Sequence, residues 1–444
     1  MRNGIKMKQI AAVAIFLSGV AAHAGFAHAG DWPGWRGPNH DGSTSETSLP
    51  TEWSAAQGVL WAREMPGRSS ATPAVWGDRV FVVSTDETRK LLYGMCLDRD
   101  SGDVLWNKQL VEGAWVNART DAASCSPVTD GDRVYFLFGT SDFFALDFDG
   151  AEVWSKNLER EFGPVTSMWG YGSSPLLYEG RLYIQVLRGQ WGSGVPQMEH
   201  TDEDSYVLCL DAASGETVWK VHRPSDAVGE SFDAYTTPIP YEADGKTAIV
   251  VHGGGYITGH DPATGEELWR QAHNPRKGQY DRLIPSPVIA GDLVCGLQPR
   301  GLDAFAFRPG QETRLAYTDS TWIYDGRTGD VPTPLYYEGR LYIVNGARKM
   351  MICLDPATGE EIWRGDLGTS ARVWSSPTAG DGKIYCLDER GQVTVVAAGD
   401  EFKVLSQADM GGAPCKSSIA IADGKLFIRT AEKLYCVASS DTGG

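Results

Sequence analysis

The sequence predicts an all-β protein, folded as a single eight-bladed β-propeller of four-stranded antiparallel blades. Two ladders of repeated residues give this blade number independently. The first is the aromatic residue of an outer strand, at Trp61, Trp106, Trp154, Trp219, Trp269, Tyr317 and Trp363, with Leu405 as its weakest member. The second is a Ser/Thr-Pro pair that begins at 72, 126, 174, 237, 286, 333 and 376, with Ser418 lacking the proline. Successive members are about 45 residues apart, the length of one propeller blade.

A ten-residue pattern explains why each repeat contains a hairpin. Residues 354–363 read LDPATGEEIW, residues 97–106, 210–219 and 260–269 are variants, and residues 146–154 are a shorter version. The Asp side chain accepts bonds from backbone N–H groups that follow it, and Gly supplies the positive φ that closes the turn. The alternating tail then places a Trp on the buried side of the next strand.

The two ends of the chain are predicted to share one blade. The last repeat, residues 417–439, supplies three strands and ends without its Trp strand, whereas strand 59–64 has no repeat before it. Pairing strand 59–64 with the C-terminal blade gives four strands and removes two exposed sheet edges. The propeller then occupies residues 58–444 as a single domain.

The residues before the propeller divide into two segments. Residues 1–29 combine a basic start, an apolar run and a small-x-small pattern that ends at Ala29, which predicts a cleaved signal peptide. A competing cleavage site ends at Ala24. We therefore expect an exported protein, periplasmic or secreted, without a transmembrane anchor. Residues 30–57 place three Trp among Gly and Pro, and we expect this irregular segment to be clamped on the propeller.

The net charge limits the kinds of binding partner, and the cysteine positions indicate whether disulfides form. The net charge of −17 at pH 7 argues against nucleic acid and anionic membrane surfaces as partners, because their binding requires a basic patch. Eight cysteines would suit a disulfide framework in an exported protein. However, Cys96, Cys209, Cys353 and Cys436 occupy one position of the repeat, so they fall in the same layer of separate blades. We expect free, buried thiols.

The pattern Ala357-Thr358-Gly359 followed by Trp363 resembles the tryptophan docking motif of the PQQ-like β-propeller superfamily. That superfamily includes quinoprotein alcohol dehydrogenases and the outer-membrane assembly lipoprotein BamB. The resemblance covers residues 58–439 and implies that the Trp of one blade stacks against the next blade. The residues that it assigns to this role are Trp61, Trp106, Trp154, Trp219, Trp269 and Trp363. The opening Trp32–Pro38 before such a propeller is similar to exported proteins abundant in planctomycetes and related bacteria.

Candidate binding residues lie on the loops that join each Trp strand to the next Ser/Thr-Pro pair, at the axial face. They mix cations, carboxylates and aromatic rings, which suit a polar organic ligand or a peptide. A solvated rim with ion pairs between blades is the preferred interpretation. The candidates are Arg68, Arg119, Asp121, Trp169, Tyr171, Asp233, Tyr235, Asp281, Arg282, Asp330, Arg372, Trp374 and Lys416.

The third repeat carries a long insertion at 187–205, and long loops on regular scaffolds are frequent functional elements. Its Glu199, Asp202 and Asp204 form a weak candidate calcium loop. The cluster lacks the alternating spacing and the glycine of known calcium loops, so a solvated acidic loop is the preferred interpretation.

Two main functions stay open after these observations, and a third possibility is a passive structural module in a larger envelope complex. No zinc, serine hydrolase or phosphate-binding motif occurs, which favours a non-catalytic, BamB-like envelope scaffold that binds a protein, peptide or glycan without a cofactor. The resemblance also implies an alternative, a quinoprotein dehydrogenase that uses PQQ and calcium to oxidise an alcohol or polyol. Such enzymes usually carry an adjacent Cys-Cys disulfide and a calcium triad, and neither can be placed here. No catalytic residue can be assigned.

Overall fold

The computed structural model describes residues 30–54, 57–117, 119–165, 167, 169–188, 205–310 and 313–439. These residues form eight sheets arranged as eight blades, which confirms the predicted all-β propeller. Each blade is an antiparallel sheet of four strands, and blade 4 gains a fifth, parallel strand.

The strands, numbered in chain order, are distributed as follows. Blade 8 contains β1 (Val59–Glu64), β31 (Ala420–Ala422), β32 (Lys425–Arg429) and β33 (Lys433–Ala438). Blade 1 contains β2 (Ala74–Trp76), β3 (Arg79–Asp86), β4 (Leu91–Asp98) and β5 (Val104–Glu112). Blade 2 contains β6 (Val128–Thr129), β7 (Arg133–Leu137), β8 (Asp142–Asp147) and β9 (Glu152–Asn157). Blade 3 contains β10 (Leu176–Tyr178), β11 (Arg181–Val186), β12 (Tyr206–Asp211) and β13 (Thr217–His222).

The remaining blades continue the same order. Blade 4 contains β14 (Ile239–Ala243), β15 (Lys246–Gly253), β16 (Tyr256–His260), β17 (Glu267–Ala272) and the added β21 (Arg314–Leu315). Blade 5 contains β18 (Val288–Ala290), β19 (Leu293–Leu297), β20 (Ala304–Phe307) and β22 (Trp322–Tyr324). Blade 6 contains β23 (Leu335–Tyr337), β24 (Arg340–Asn345), β25 (Met350–Leu354) and β26 (Glu361–Asp366). Blade 7 contains β27 (Thr378–Gly380), β28 (Lys383–Leu387), β29 (Gln392–Ala397) and β30 (Val404–Asp409).

In the part of the chain that the structure describes, helices occur only as short connections. They are α1 (Leu158–Phe162) and 3-10 turns at Gly229–Phe232, Pro299–Gly301 and Tyr317–Asp319. Among the described residues, no helix has the length and apolar character needed to cross a bilayer. All eight cysteines are buried and free, as the repeat positions predicted.

The ring closes through blade 8. Strand β1 pairs antiparallel with β33, with Trp61 opposite Cys436 and Ala62 opposite Tyr435. The N-terminal strand is therefore the outermost strand of a blade whose other three strands end the described chain. This confirms the predicted closure, in which β1 covers the edge of β33 and becomes the outer strand of blade 8.

Indole rings lock neighbouring blades together. Each of six tryptophans donates its Nε1–H to a backbone carbonyl of the next blade, at 2.8 to 3.1 Å. They are Trp61, Trp106, Trp154, Trp219, Trp322 and Trp363. Glycine in the receiving turn makes room for the ring: at Gly215 and Gly359 a Cβ would lie 2.7 and 2.6 Å from indole atoms of the preceding blade. Trp269 instead packs on Phe307 of blade 5, with ring centroids 5.6 Å apart.

The structure corrects one member of the aromatic ladder. In blade 5 the docking residue is Trp322, not Tyr317. Tyr317 lies in a 3-10 turn, packs on Phe305 and donates its hydroxyl to Asp303. The cause is an insertion after β20: strand β21 leaves blade 5 and pairs parallel with β17 of blade 4, which moves the outer strand of blade 5 along the sequence.

The Ser/Thr-Pro ladder forms a second connection between blades, nearer the axis. The backbone N–H of the Ser or Thr in one blade donates to the hydroxyl of the equivalent residue in the next. The described bonds are Thr72 to Ser126, Ser126 to Ser174, Thr237 to Ser286, Ser286 to Thr333, Thr333 to Ser376 and Ser376 to Ser418, at 2.8 to 3.0 Å. We call this set the hydroxyl belt.

The corrected ladder makes a stability prediction. Trp322→Ala should lower the free energy of unfolding by about 3–5 kcal/mol, because the buried indole loses its packing and its hydrogen bond. Tyr317→Ala is the matched control and should cost only about 1–2 kcal/mol, because Tyr317 is half-buried. Urea unfolding of both variants measures the difference. A larger loss in Tyr317→Ala would restore the ladder read from the sequence.

Candidate functional site

The segment Trp32–Pro38, here called the plug, crosses the central channel. On one side, its Pro33 carbonyl accepts a hydrogen bond from Thr129 N of blade 2, at 2.9 Å. On the other side, the Arg36 guanidinium donates to Pro377 O at 2.9 Å and Pro334 O at 3.0 Å, at the starts of blades 7 and 6. Blades 2 and 6 are opposite in an eight-bladed ring. The plug therefore closes one end of the channel.

Buried contacts also anchor the plug, and the segment that follows it, to the propeller. Trp32 is fully buried and its backbone pairs with Val75 of blade 1. Further along, Tyr385 of blade 7 donates its hydroxyl to Pro50 O at 2.8 Å. Burial lowers the pKa of Arg36 to about 10. This value is still well above 7, so the guanidinium is charged at neutral pH, and backbone carbonyls accept its hydrogen bonds in place of water.

Above the plug lies a cavity of about 500 Å³ whose floor includes Trp35. This volume is typical of small-molecule and peptide sites. Its lower wall is the hydroxyl belt, contributed by Ser126, Ser174, Thr237, Thr333, Ser376 and Ser418. Its upper wall consists of charged and aromatic side chains from the axial loops, which are described next. We call this space the axial cavity.

The structure brings eight of the thirteen candidate residues to the axial cavity. They are Arg119, Trp169, Tyr235, Arg282, Asp330, Arg372, Trp374 and Lys416. The loops that follow the outer strands of seven blades, 1 to 7, supply them, so the site exists only in the closed ring.

The other five candidates lie elsewhere. Arg68 forms an ion pair with Glu87. Asp121 is buried behind the cavity wall, where Ser70 donates to it at 2.9 Å. Tyr171 donates its hydroxyl to Gln185 O in the core, and Asp233 is fully buried. Asp281 donates its backbone N–H to the Ser231 hydroxyl. The acidic candidates Glu199, Asp202 and Asp204 lie outside the described residues.

Three important lining residues were missed in the sequence: Trp35, Glu230 and Arg300. Trp35 was assigned to an irregular segment without a role at the axis. Arg300 follows β19, on the set of loops between second and third strands that was searched only for its long insertion. Glu230 stands three residues before the candidate Asp233 and could have been found by including the whole loop.

Both carboxylates of the cavity are held by arginines. Glu230 accepts from Arg300 at 2.9 Å and lies 3.7 Å from the Arg282 Nε, and Trp169 donates its indole N–H to it at 3.3 Å. Asp330 receives both terminal nitrogens of Arg282, at 2.9 and 3.2 Å. These two-point bonds fix the carboxylates in place and use their acceptor capacity.

The opposite wall is cationic and aromatic. The Arg119 guanidinium lies 5.8 Å from the Trp169 ring centre and 5.9 Å from that of Trp374, and the Lys416 ammonium lies 4.8 Å from Trp374. Lys416 also donates to Arg119 O at 2.8 Å. Partial burial lowers the pKa of Lys416, and Asp121 behind the wall opposes that shift. Each of the two indole rings thus has a cation at a cation–π distance.

The residues do not fit the calcium-bound quinone of quinoprotein dehydrogenases. Among described residues, no group of three or more His, Cys, Asp or Glu is close enough to share a metal ion. Glu230 and Asp330 are committed to arginines. The eight cysteines are buried separately, and burial raises the thiol pKa of most of them to about 12, for example at Cys386.

Comparison with known proteins agrees with this architecture. The family model of outer membrane protein assembly factor BamB matches residues 43–161, 95–326 and 319–440. The chain belongs to this family of PQQ-like β-propellers. BamB from Moraxella catarrhalis has a similar structure, with a TM-score of 0.59, 13% identity, and coverage of 86% of this chain and 97% of that chain.

Two dehydrogenases are also similar to this chain, one in fold and one in sequence. A europium-containing methanol dehydrogenase gives a TM-score of 0.67 at 12% identity, covering 92% of this chain and 98% of the other. In sequence, polyvinylalcohol dehydrogenase from Sphingopyxis sp. (strain 113P3) is 24% identical over 387 residues, 80% of this chain and 54% of that protein. The BamB-like chain thus spans about half the length of this curated relative.

The plug makes a second prediction. Arg36→Ala should destabilise the protein by about 2–4 kcal/mol, because two buried carbonyls lose a charged donor. Limited proteolysis should then cut the N-terminal segment at lower protease concentrations. Arg89→Ala is the control, since this arginine is 72% exposed and its removal should change stability by less than about 0.5 kcal/mol. Equal protease sensitivity of the two variants would contradict the anchoring role of Arg36.

Proposed function

We propose that this BamB-like chain is a non-catalytic binding protein of the cell envelope, whose axial cavity receives a protein, peptide or glycan partner. One observation carries the proposal: each carboxylate among the described lining residues is already paired with arginine, while aromatic and cationic groups face the cavity. A carboxylate so held is a poor general base, whereas the remaining groups suit recognition.

A predicted signal peptide supports the envelope assignment. The first 29 residues have the composition of a signal peptide. The family model names an outer-membrane assembly factor, and a partner protein in the envelope is consistent with that relationship. We propose that the chain acts there as a scaffold, with no cofactor required for binding.

The test is partner capture from an envelope extract. Trp374→Ala removes the ring that contacts both Arg119 and Lys416, and should reduce capture of the specific partner about tenfold, the effect expected for an interface anchor. Leu105→Ala is the control, because this side chain is 45% exposed on an outer strand and distant from the axis. Equal capture by the two variants would place the partner surface elsewhere.

A quinone-dependent dehydrogenase is the second candidate, favoured by the similarity to polyvinylalcohol dehydrogenase over 80% of this chain. The test is reconstitution of the purified protein with PQQ and Ca²⁺, followed by dialysis and an alcohol-dependent dye-reduction assay. We expect no retained quinone absorbance and no turnover, because no described group of three His, Cys, Asp or Glu could hold calcium and both described cavity carboxylates are paired with arginine. Stoichiometric quinone with alcohol-dependent reduction would replace the binding proposal.

A further inference from the structure

The charge of the axial cavity opposes the charge of the whole chain. Its described lining residues include five cations, Arg119, Arg282, Arg300, Arg372 and Lys416, but only two carboxylates, Glu230 and Asp330. The chain itself carries a net charge of −17. Low-dielectric walls concentrate such a local field, so the cavity selects for an anionic group on its ligand.

Pairing divides these cations into two classes. Arg282 and Arg300 hold the two carboxylates. Among the residues that the structure describes, Arg119, Arg372 and Lys416 form no ion pair with a cavity carboxylate. The buried Asp121 behind the wall lies in the field of Arg68 and Arg429 as well as Lys416. The positive excess therefore faces the cavity from the wall of blades 1, 6 and 7.

The shape of the cavity restricts how a polymer can enter. The plug closes one end, so the cavity formed by the described residues opens on the side of the axial loops. A loop or hairpin would have to bring two strands, about 5 Å apart and each with side chains, through that opening. A single chain end needs half of this width. A closed end thus favours the terminus of a polymer over an internal segment.

The floor adds an apolar requirement. Trp35 lies at the bottom of the cavity, and the hydroxyl belt surrounds it. An aromatic floor below a cationic wall suits a terminal residue whose side chain is apolar and whose charge lies beside its backbone. The C-terminal residue of a polypeptide has this arrangement, because its α-carboxylate is ionised at neutral pH.

We propose that the axial cavity captures the free C-terminal carboxylate of a partner polypeptide. Arg119, Arg372 and Lys416 bind the carboxylate, and Trp35 contacts the terminal side chain. This inference rests on the proposed binding function and specifies its partner. Capture of a C-terminal carboxylate is a known mode of peptide recognition, and charge-assisted hydrogen bonds from arginine are its strongest element.

The experiment compares two peptide pools against the full-length mature protein. Both are N-acetylated octapeptides with randomised internal positions and Leu or Phe at the C-terminus. One pool ends in the free acid and the other in the amide. We expect the acid pool to bind at least about tenfold more tightly, because the amide lacks the charge that the cations recognise. Raising the salt concentration should weaken binding of the acid pool.

Variants assign the effect to the cavity. Arg372→Gln should weaken binding of the acid pool about tenfold and leave binding of the amide pool unchanged. Arg372→Lys keeps the charge and should restore part of the affinity. Arg308→Gln is the matched control: this exposed arginine pairs with Asp292 at a turn of blade 5, away from the lining residues, and its loss should have no effect.

Each alternative result overturns the proposal. Equal binding of acid and amide pools, lost in Trp374→Ala, would keep a peptide site in the cavity but reject carboxylate capture. Binding of an oligoglucuronate and of neither pool would assign the cavity to an acidic glycan. No binding of either pool, together with Trp374-dependent capture from extract, would retain the proposed function and exclude a chain end as its ligand.

Discussion

The hydroxyl belt is the interaction on which the site depends. It links the backbone N–H of one blade to the hydroxyl of the next at a constant distance near the axis, so it fixes the spacing of the inner strands. The following proline has no N–H group, which suits an innermost strand with no neighbour on its channel side. The same hydroxyls line the axial cavity, so the belt that joins the blades also forms the wall of the proposed site.

A ring of eight blades leaves a channel that its inner strands do not fill, and the plug uses this space. The neighbouring residues Trp35 and Arg36 have different roles. Arg36 anchors the plug through hydrogen bonds to carbonyls of blades 6 and 7, whereas the Trp35 indole lines the cavity. The starts of the inner strands contribute Ser and Thr hydroxyls to the cavity. The floor of the site therefore comes from a segment outside the repeats.

The sequence predicted the repeat well and the site only in part, for a physical reason. Blade number, closure and docking rings follow from local turn chemistry and a fixed spacing, which the sequence displays directly. His260, which replaces the repeat Leu, is buried with both ring nitrogens bonded, to Gly265 O and Thr258. By contrast, the insertion before Trp322 moved the docking residue of blade 5, so the sequence pointed to Tyr317 instead. The ion pair between Glu230 and Arg300 joins residues 70 positions apart. No spacing rule predicts such a pair, because it depends on how the closed ring brings loops outside the repeat pattern together.

The acidic exterior and the cationic cavity act on different parts of binding. A net charge of −17 repels an anionic partner at distances beyond the Debye length of about 8 Å only weakly at physiological salt, because ions screen it. Inside the cavity screening is smaller, and the fixed guanidinium groups act on a desolvated anion. The exterior charge thus adds little repulsion at long range, whereas an anionic group that reaches Arg119 and Arg372 meets a positive field with little screening. Selectivity in this propeller then depends on whether the anionic group of a ligand can enter the closed cavity, rather than on the total charge of the ligand.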